Sequence, residues 1–273
     1  MKVLVIPDIH LKPYMIEDAR NILDTTPDID GIVFLGDIVD DFGEQRNIKL
    51  YEETLNSLIN FCKEYKESHS VYFCIGNHDI SYIWHKWQSG TSDSIQVEKL
   101  IREKLRVLKH LLGENMNFVN KIDNILFSHA GVSIPFIYFN GLDDIVVEWY
   151  SNVLSNPDKT YKIPNIDIDH IVDRINKCRS KELWDDISPI WIRVEDDRYT
   201  KFLLPNTYQI VGHTPQRHVL KLNNDKNNST MIICDTHSTH RNKSKYGDCS
   251  YVVADTVGKT YQVIEQPCKT FSN

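Results

Sequence analysis

Along this 273-residue chain, five short runs rich in Val, Ile and Phe each end in an Asp, Asn or His. KVLVIPD closes on Asp8, with His10 two residues on, and GIVFLGD closes on Asp37. VYFCIGN closes on Asn77, with His78 next, while NILFSH and YQIVGH close on His129 and His213. Each run is bounded by Gly, Pro or Asp, the signature of a buried strand. Open α/β sheets gather the carboxyl ends of their strands at one crevice, so endings of this kind would bring five sets of side chains together. One such ending is commonplace; five in one chain require strands that run side by side and stop at a common edge.

The side chains at those endings are oxygen and nitrogen donors. Asp8-x-His10 places two just past a strand, where alternate residues can turn into one cavity. Gly36 permits a tight exit before Asp37. Asn77 offers a neutral carbonyl oxygen, and the adjacent His78 is free to face a substrate. Taken singly, Asp8 and His10 read as solvated loop residues as readily as ligands, and Asp37 as a turn residue. Together the set suits a metal centre of the Mn, Fe or Zn type.

Around these endings the first half alternates strands and helices. Helices are expected at about 13–24, 48–66 and 94–112, the last with apolar residues from Val97 to Leu112 on one side and Gly113 as its stop. From about 117 strands dominate, at 122–128, 208–211, 217–222, 230–234, 249–254 and 259–264. The alternation predicts a layered α/β arrangement. Residues 133–205, with Trp149, Trp184 and Trp191, read as a mainly helical insertion that caps the site within a single domain spanning 1–273.

A net charge of −7 argues against a broad grip on nucleic acid or an anionic membrane surface. No run approaches the ~20 apolar residues of a membrane helix. Because Met1 to Ile6 already reads as a strand, a cleavable leader has no room. The six cysteines form no CxxC pair, and reduced thiols in a cytoplasmic protein are expected, with Cys74 and Cys234 as small buried hydrophobes.

In order, PDIH, GDIVD, GNHD, SHAG and VGHTP resemble the motifs of the calcineurin-like metallophosphoesterases over Asp8 to about Pro215. The resemblance implies two packed β-sheets flanked by helices, an α/β (α+β mixed) fold, and two divalent metals bridged by one carboxylate. Asp8, His10 and Asp37 would hold the first metal. Asp37, Asn77, His129 and His213 would hold the second. Manganese is favoured, with iron, zinc or nickel as alternatives. Many members carry a second His two residues after the Gly-His pair. Here Pro215 stands there, as in the branch of the Ser/Thr protein phosphatases and the symmetrical diadenosine tetraphosphate hydrolases.

Two such metals clamp the phosphoryl oxygens and supply a bridging hydroxide for attack on phosphorus. His78 is then the candidate general acid, and Asp40 would orient its imidazole. Asp41 stands where the phosphatase branch has a phosphate-binding Arg. Trp191-Ile-Arg193 resembles a Trp-x-Arg segment whose Arg grips phosphate. Arg193 reads equally as a surface Arg beside a packed Trp.

Weaker candidates are His237, the acidic turn Asp167–His170, the basic stretch His240–Tyr246, and the aromatics Tyr82, Trp84 and Trp87, which could stack on a base or pack beneath the insertion. The leading expectation is a phosphomonoesterase of the Ser/Thr protein phosphatase type, acting on a phosphoprotein, nucleotide or small phosphoester. A dinucleoside polyphosphate hydrolase comes next, then a phosphodiesterase. A non-enzymatic scaffold would have lost ligands, and none is lost here. A mononuclear zinc enzyme would leave several of these residues without a role.

Overall fold

A computed structural model describes residues 1–193, 202–240 and 244–268. In the first half, β1 (Lys2–Ile6), α1 (Tyr14–Thr25), β2 (Gly31–Phe34), α2 (Ile48–Tyr65), β3 (Ser70–Cys74), α3 (Asn77–Trp84), α4 (Ile95–Leu112) and β4 (Met116–Asn117) follow one another. Next come β5 (Val119–Ile122) and β6 (Ile125–Ser128), then α5 (Ile134–Phe139), α6 (Asp144–Ser155), α7 (Ile168–Asn176) and α8 (Ser180–Leu183). The chain returns to strands with β7 (Tyr208–Val211), β8 (Leu220–Asn224), β9 (Ser229–Ile233), β10 (Tyr251–Asp255) and β11 (Thr260–Ile264).

The strands form two sheets, ordered β11-β10-β1-β2-β3-β4 and β5-β6-β7-β9-β8. Within the first sheet β1, β2 and β3 are parallel, and within the second β6, β7 and β9 are parallel. Alternation along β1 shows how the layers meet. Val3 and Val5 join a core with Phe127, Ile210 and Ile232 of the second sheet. Leu4 and Ile6 face Met15, Ile16, Leu55 and Leu58 of the covering helices. A strand buried on both faces has no polar side, hence its unbroken apolar reading.

Helix α4 shows why the periodicity was legible. Ser94 Oγ accepts from Val97 N, Gly113 closes the helix at φ 54°, and Val97, Ile101, Leu105, Leu108 and Leu112 form its buried stripe. Each such side chain contributes about 1.5–3 kcal/mol when fully buried. Helices α5 to α8 lie within 133–205 and build a separate apolar cluster with Val119 and Leu126 of the second sheet.

Several expectations need correction. Residues 122–128 are not one strand but part of a hairpin, because the chain turns at Asp123 with φ 47°. The strand expected at 217–222 begins at Leu220, and that at 249–254 begins at Tyr251. Cys249 and Cys268 form a disulfide, so the thiols are not all reduced. A spacing of 19 residues carries no local signature, and the bond removes the cysteine argument for a reducing compartment. Cys74 and Cys234 are buried and free, as their apolar runs implied. Among the described residues, no helix is long and apolar enough to cross a membrane.

Candidate active site

The parallel strands deliver their endings to one cavity of about 280 Å³, lined by His10, Asp37, Asn77 and His213 among others. Asp8, Asp37, Asn77, His129 and His213 are all buried, with Asp8 and His129 behind the cavity's lining. Donor atoms of Asp8, His10 and Asp37 lie within 4.8 Å of one another, and so do those of Asp37, His129 and His213. Asp37 belongs to both groups. Asn77 Oδ1 reaches the second group, 2.9 Å from His129 Nε2.

Turn chemistry holds these side chains in place. His10, Asp37, Asp40 and His213 all have positive φ, between 43° and 65°. Asp and His tolerate that region better than most residues, and such conformations collect at functional sites. The glycines before Asn77 and His213 serve close approach. A Cβ on Gly76 would collide with Asp37 Oδ1, and one on Gly212 with Asp8 Oδ1. Asp79, in GNHD, fixes the two first-sheet loops to each other: its carboxylate accepts from Asp37 N (2.8 Å), Ile38 N (2.9 Å) and Gly76 N (3.1 Å). Burial and the Asp37 charge push Asp79 up to about 6.

Each imidazole is oriented by a backbone carbonyl. His10 Nδ1 donates to Asp40 O (2.7 Å), His129 Nδ1 to Leu35 O (2.8 Å) and His213 Nε2 to Trp191 O (3.0 Å). A carbonyl can only accept, so in each ring the other nitrogen is the one presented to the cluster. Metal-bound histidines are held in this way. The donor set, oxygen and imidazole nitrogen in two groups that share Asp37, is of the chemistry that suits divalent ions.

Electrostatics agree with a site built for positive charge. Burial pushes Asp8 well up, and the Asp235 charge adds to it. Burial also pushes Asp37 up, but the His129 and His78 charges outweigh it and hold Asp37 well below the carboxylate range. His129 rises to about 10 because Asp37 and Asp8 overcome the cost of burial. His213 falls well below its usual value through burial and the His129 charge. Two neighbouring imidazoles cannot both be charged cheaply, so His129 carries the charge here, and a bound dication would displace that proton.

Beside this cluster, His78 N donates to Asp37 Oδ1 (2.9 Å), and His78 Nδ1 lies 2.8 Å from Asp40 Oδ2. The free Nε2 belongs to a ring that lines the cavity. Burial lowers His78, but Asp37 and Asp40 together raise it to about 8. Asp40 is itself clamped: Tyr51 Oη (2.6 Å) and Tyr82 Oη both donate to its Oδ1. Burial and the Asp40 charge push both phenols far up, so they remain protonated donors.

The remaining candidates separate clearly. Arg193 reaches the cavity, with Nη1 donating to His213 O (3.0 Å). Tyr82 is buried against Asp40, and Trp84 packs against Phe118 and Trp184, so neither offers a stacking face. Trp87 is 58% exposed. His237 is buried, with its ring against Tyr251, and burial brings it down to about 3. Asp167 caps α7 and Asp169 pairs with Lys121, which leaves no metal cluster in that turn. Residues 241–243 of the basic stretch lie outside the described residues.

Sequence reasoning missed Lys12. It is buried, and its ammonium lies 3.4 Å from Asp41 Oδ2 and 3.2 Å from His10 O. Asp41, where an Arg was expected, thus pairs with a cation supplied two residues after His10. It missed Asp235 as well, a buried carboxylate on the same cavity wall. A signal existed: MIIC before Asp235 is a sixth apolar run with a donor at its end.

A family model for the calcineurin-like phosphoesterases matches residues 1–253. No curated protein matches the chain. Among solved structures, a protein serine/threonine phosphatase from Saccharomyces cerevisiae superposes with a TM-score of 0.52 at 12% identity, covering 100% of this chain and 82% of its own. A metallophosphoesterase from Sphaerobacter thermophilus gives 0.44 at 15% identity, over 97% and 88% of the two chains. A hypothetical protein from Pyrococcus horikoshii OT3 gives 0.46 at 12% identity, over 98% and 88%. At such identities the likeness is one of fold. The family rests on the sequence model, whose match takes in every one of the strand endings, and by that match the chain belongs to the calcineurin-like phosphoesterases, metal-dependent hydrolases of phosphoric esters.

Proposed function

We propose that the protein is a two-metal phosphomonoesterase of the Ser/Thr protein phosphatase type. The observation that carries this is the pair of donor groups sharing Asp37. In this reading Asp8, His10 and Asp37 hold the first ion and Asp37, Asn77, His129 and His213 the second, with manganese the preferred metal. Two such ions, when bound, neutralise the phosphoryl oxygens and provide a water-derived nucleophile at neutral pH.

The chain's own residues supply the rest. His78, held through Nδ1 by Asp40, keeps Nε2 toward the cavity and gives its proton to the departing alkoxide. Asp40 favours the charged, proton-bearing ring, and Tyr51 and Tyr82 fix the Asp40 carboxylate in the matching orientation. Asn77, whose Nδ2 donates to Gln88 Oε1 (2.7 Å), sits where its amide can also meet a phosphoryl oxygen. Arg193, steadied by the His213 carbonyl, grips the phosphate from the insertion side. Residues 133–205 act as the cap of a single catalytic domain.

A cavity of about 280 Å³ suits one phosphoryl group and its ester neighbour. It lies just below the ~300–1,000 Å³ of pockets that enclose a whole drug-sized ligand. Phe42 and Trp191 on the cavity wall are the feature that speaks for a second reading, a dinucleoside polyphosphate hydrolase, since a base could stack there. The deciding experiment compares turnover of p-nitrophenyl phosphate, bis-p-nitrophenyl phosphate, phosphoserine peptides and diadenosine tetraphosphate with Mn²⁺ present. Monoester or phosphopeptide turnover should lead. A lead for the diester or the dinucleotide would replace this reading with the corresponding one.

A further inference from the structure

Strand β9 is the sixth to deliver a donor to the cavity. It runs parallel to β7 with Val211 opposite Ile233, and Cys234 N extends the pairing by donating to Val211 O (2.8 Å). Two residues beyond the paired positions stand His213 on one strand and Asp235 on the other. Asp235 is 1% exposed, yet it lines the cavity with His10 and Pro215. Gln216 N donates to Asp235 O (2.7 Å), which locks Asp235 beside Pro215. Pro215 is the position at which a second histidine is absent from this chain.

Among the described residues no ion pair is made to the Asp235 carboxylate, whose direct side-chain partner is a neutral hydroxyl. Ser238 Oγ donates to both carboxylate oxygens, at 3.0 and 2.8 Å. Asp8 repels it, and His10 and Lys12 attract it from the same space. An ionised carboxylate at this depth is costly unless it is paired. A ligand to a dication would offset that cost. Asp235 does not belong to the ring of Asp8, His10 and Asp37 donors that lie within 4.8 Å of one another.

We infer that Asp235 takes the place of the missing histidine at the Asp8–His10–Asp37 site and anchors the ion there from outside, through its water ligands. The assignment rests on the two-ion reading above. It gives the proline at 215 a counterpart: the strand next door carries a carboxylate where the loop lost an imidazole. Asp235 is a positioning residue in this role, since it acts on the ion's hydration shell and not on the phosphate.

The test is Mn²⁺ binding to the metal-stripped full-length protein, measured by titration calorimetry with free Mn²⁺ counted by electron paramagnetic resonance. Wild type should bind two ions. Asp235→Asn should bind one as before and the other about 10- to 100-fold more weakly, the usual cost of losing an outer-shell partner. Asp235→Ser is measured beside it, so that a variant that fails to fold is not mistaken for one that fails to bind. The melting temperature without metal should be unchanged or higher in both, because the charge that repels Asp8 has gone. Two ions bound with unchanged affinity in a folded variant would overturn the assignment alone. So would an equal loss at both ions together with a lower metal-free melting temperature, which would mark Asp235 as merely structural. Fewer than two ions on wild type would overturn the two-ion reading itself, and this assignment with it.

Discussion

The floor of the cavity and the wall that the insertion lends it are held in different ways. On the floor, Asp8, Asp37, Asn77, His129 and His213 are all at most 5% exposed; His78 N and His213 N hold the Asp37 and Asp8 carboxylates, and Asp37 N and Ile38 N donate to Asp79. Every histidine there is oriented by a main-chain carbonyl. On the wall, Trp191 is half-buried and Arg193 exposed, and Arg193 is tied to the floor by one bond to the His213 carbonyl. The wall meets the floor in two ways: Trp191 through its main-chain carbonyl, which accepts from His213 Nε2, and Arg193 through its side chain.

The largest effect should come from breaking the floor at its shared point. Asp37→Asn removes the carboxylate common to both donor groups, so turnover of an aryl phosphate should fall by at least ~1,000-fold, as when one member of a cooperative catalytic unit is lost. Elemental analysis should show fewer than two ions per chain. A variant that retained both ions and near-normal turnover would mean that the floor does not act as one unit.

That floor was the most legible part of the molecule. Each donor closes its own apolar run, and the reason lies within a few residues: Gly76 and Gly212 stand where a side chain would strike Asp37 or Asp8. Tyr51 shows the opposite case. It is eleven residues from Asp40 and sits on the buried stripe of α2, where the sequence reads only a core aromatic; its bond to Asp40 exists only once α2 is docked. Lys12 was hidden for a similar reason, since its partner Asp41 lies on another loop. The hairpin at Asp123 was missed because apolar residues continue on both sides of the turn. Asp235 alone was within reach, because the rule that found five endings also describes MIIC and the acid after it.

His78 stands between the two regions, bonded to the floor through its backbone and to Asp40 through its ring. His78→Ala should slow hydrolysis of a poor leaving group such as phenyl phosphate by ~10²–10⁴-fold, the usual worth of general acid catalysis. A dinitrophenyl ester, which departs without a proton, should lose far less. Equal losses on both esters would reject the general-acid role and leave His78 as part of the floor's architecture.

Arg193→Ala tests the wall by itself. A charge-assisted hydrogen bond contributes about 1.5–3 kcal/mol, so kcat/KM should fall roughly 10- to 150-fold. Mn²⁺ affinity should be kept or rise, because the guanidinium bonds to a carbonyl of the floor and its charge opposes positive charge at His213. Unchanged kcat and KM would return Arg193 to the surface, and a matching loss of metal would show that wall and floor are not independent.

The smallest effect separates charge from orientation at the acid. Burial disfavours the charged His78 ring, while Asp37 and Asp40 outweigh it and hold the ring's value near about 8. The protonated form is the active one for a general acid, so activity is lost as pH rises through that value. Asp40→Asn deletes one of the two charges that raise it, and the alkaline limb of the kcat profile should move to lower pH by about one unit, equivalent to ~1.4 kcal/mol. Tyr51→Phe works in the other direction. It removes a donor that shares the Asp40 charge, so more of that charge falls on the bond to His78, and the limb should rise by a few tenths of a unit, about the worth of half a hydrogen bond. Opposite shifts in the two variants would show that Asp40 acts on His78 by charge. Two profiles that kept the wild-type limb and fell only in height would show that the carboxylate and its tyrosines do no more than aim the ring.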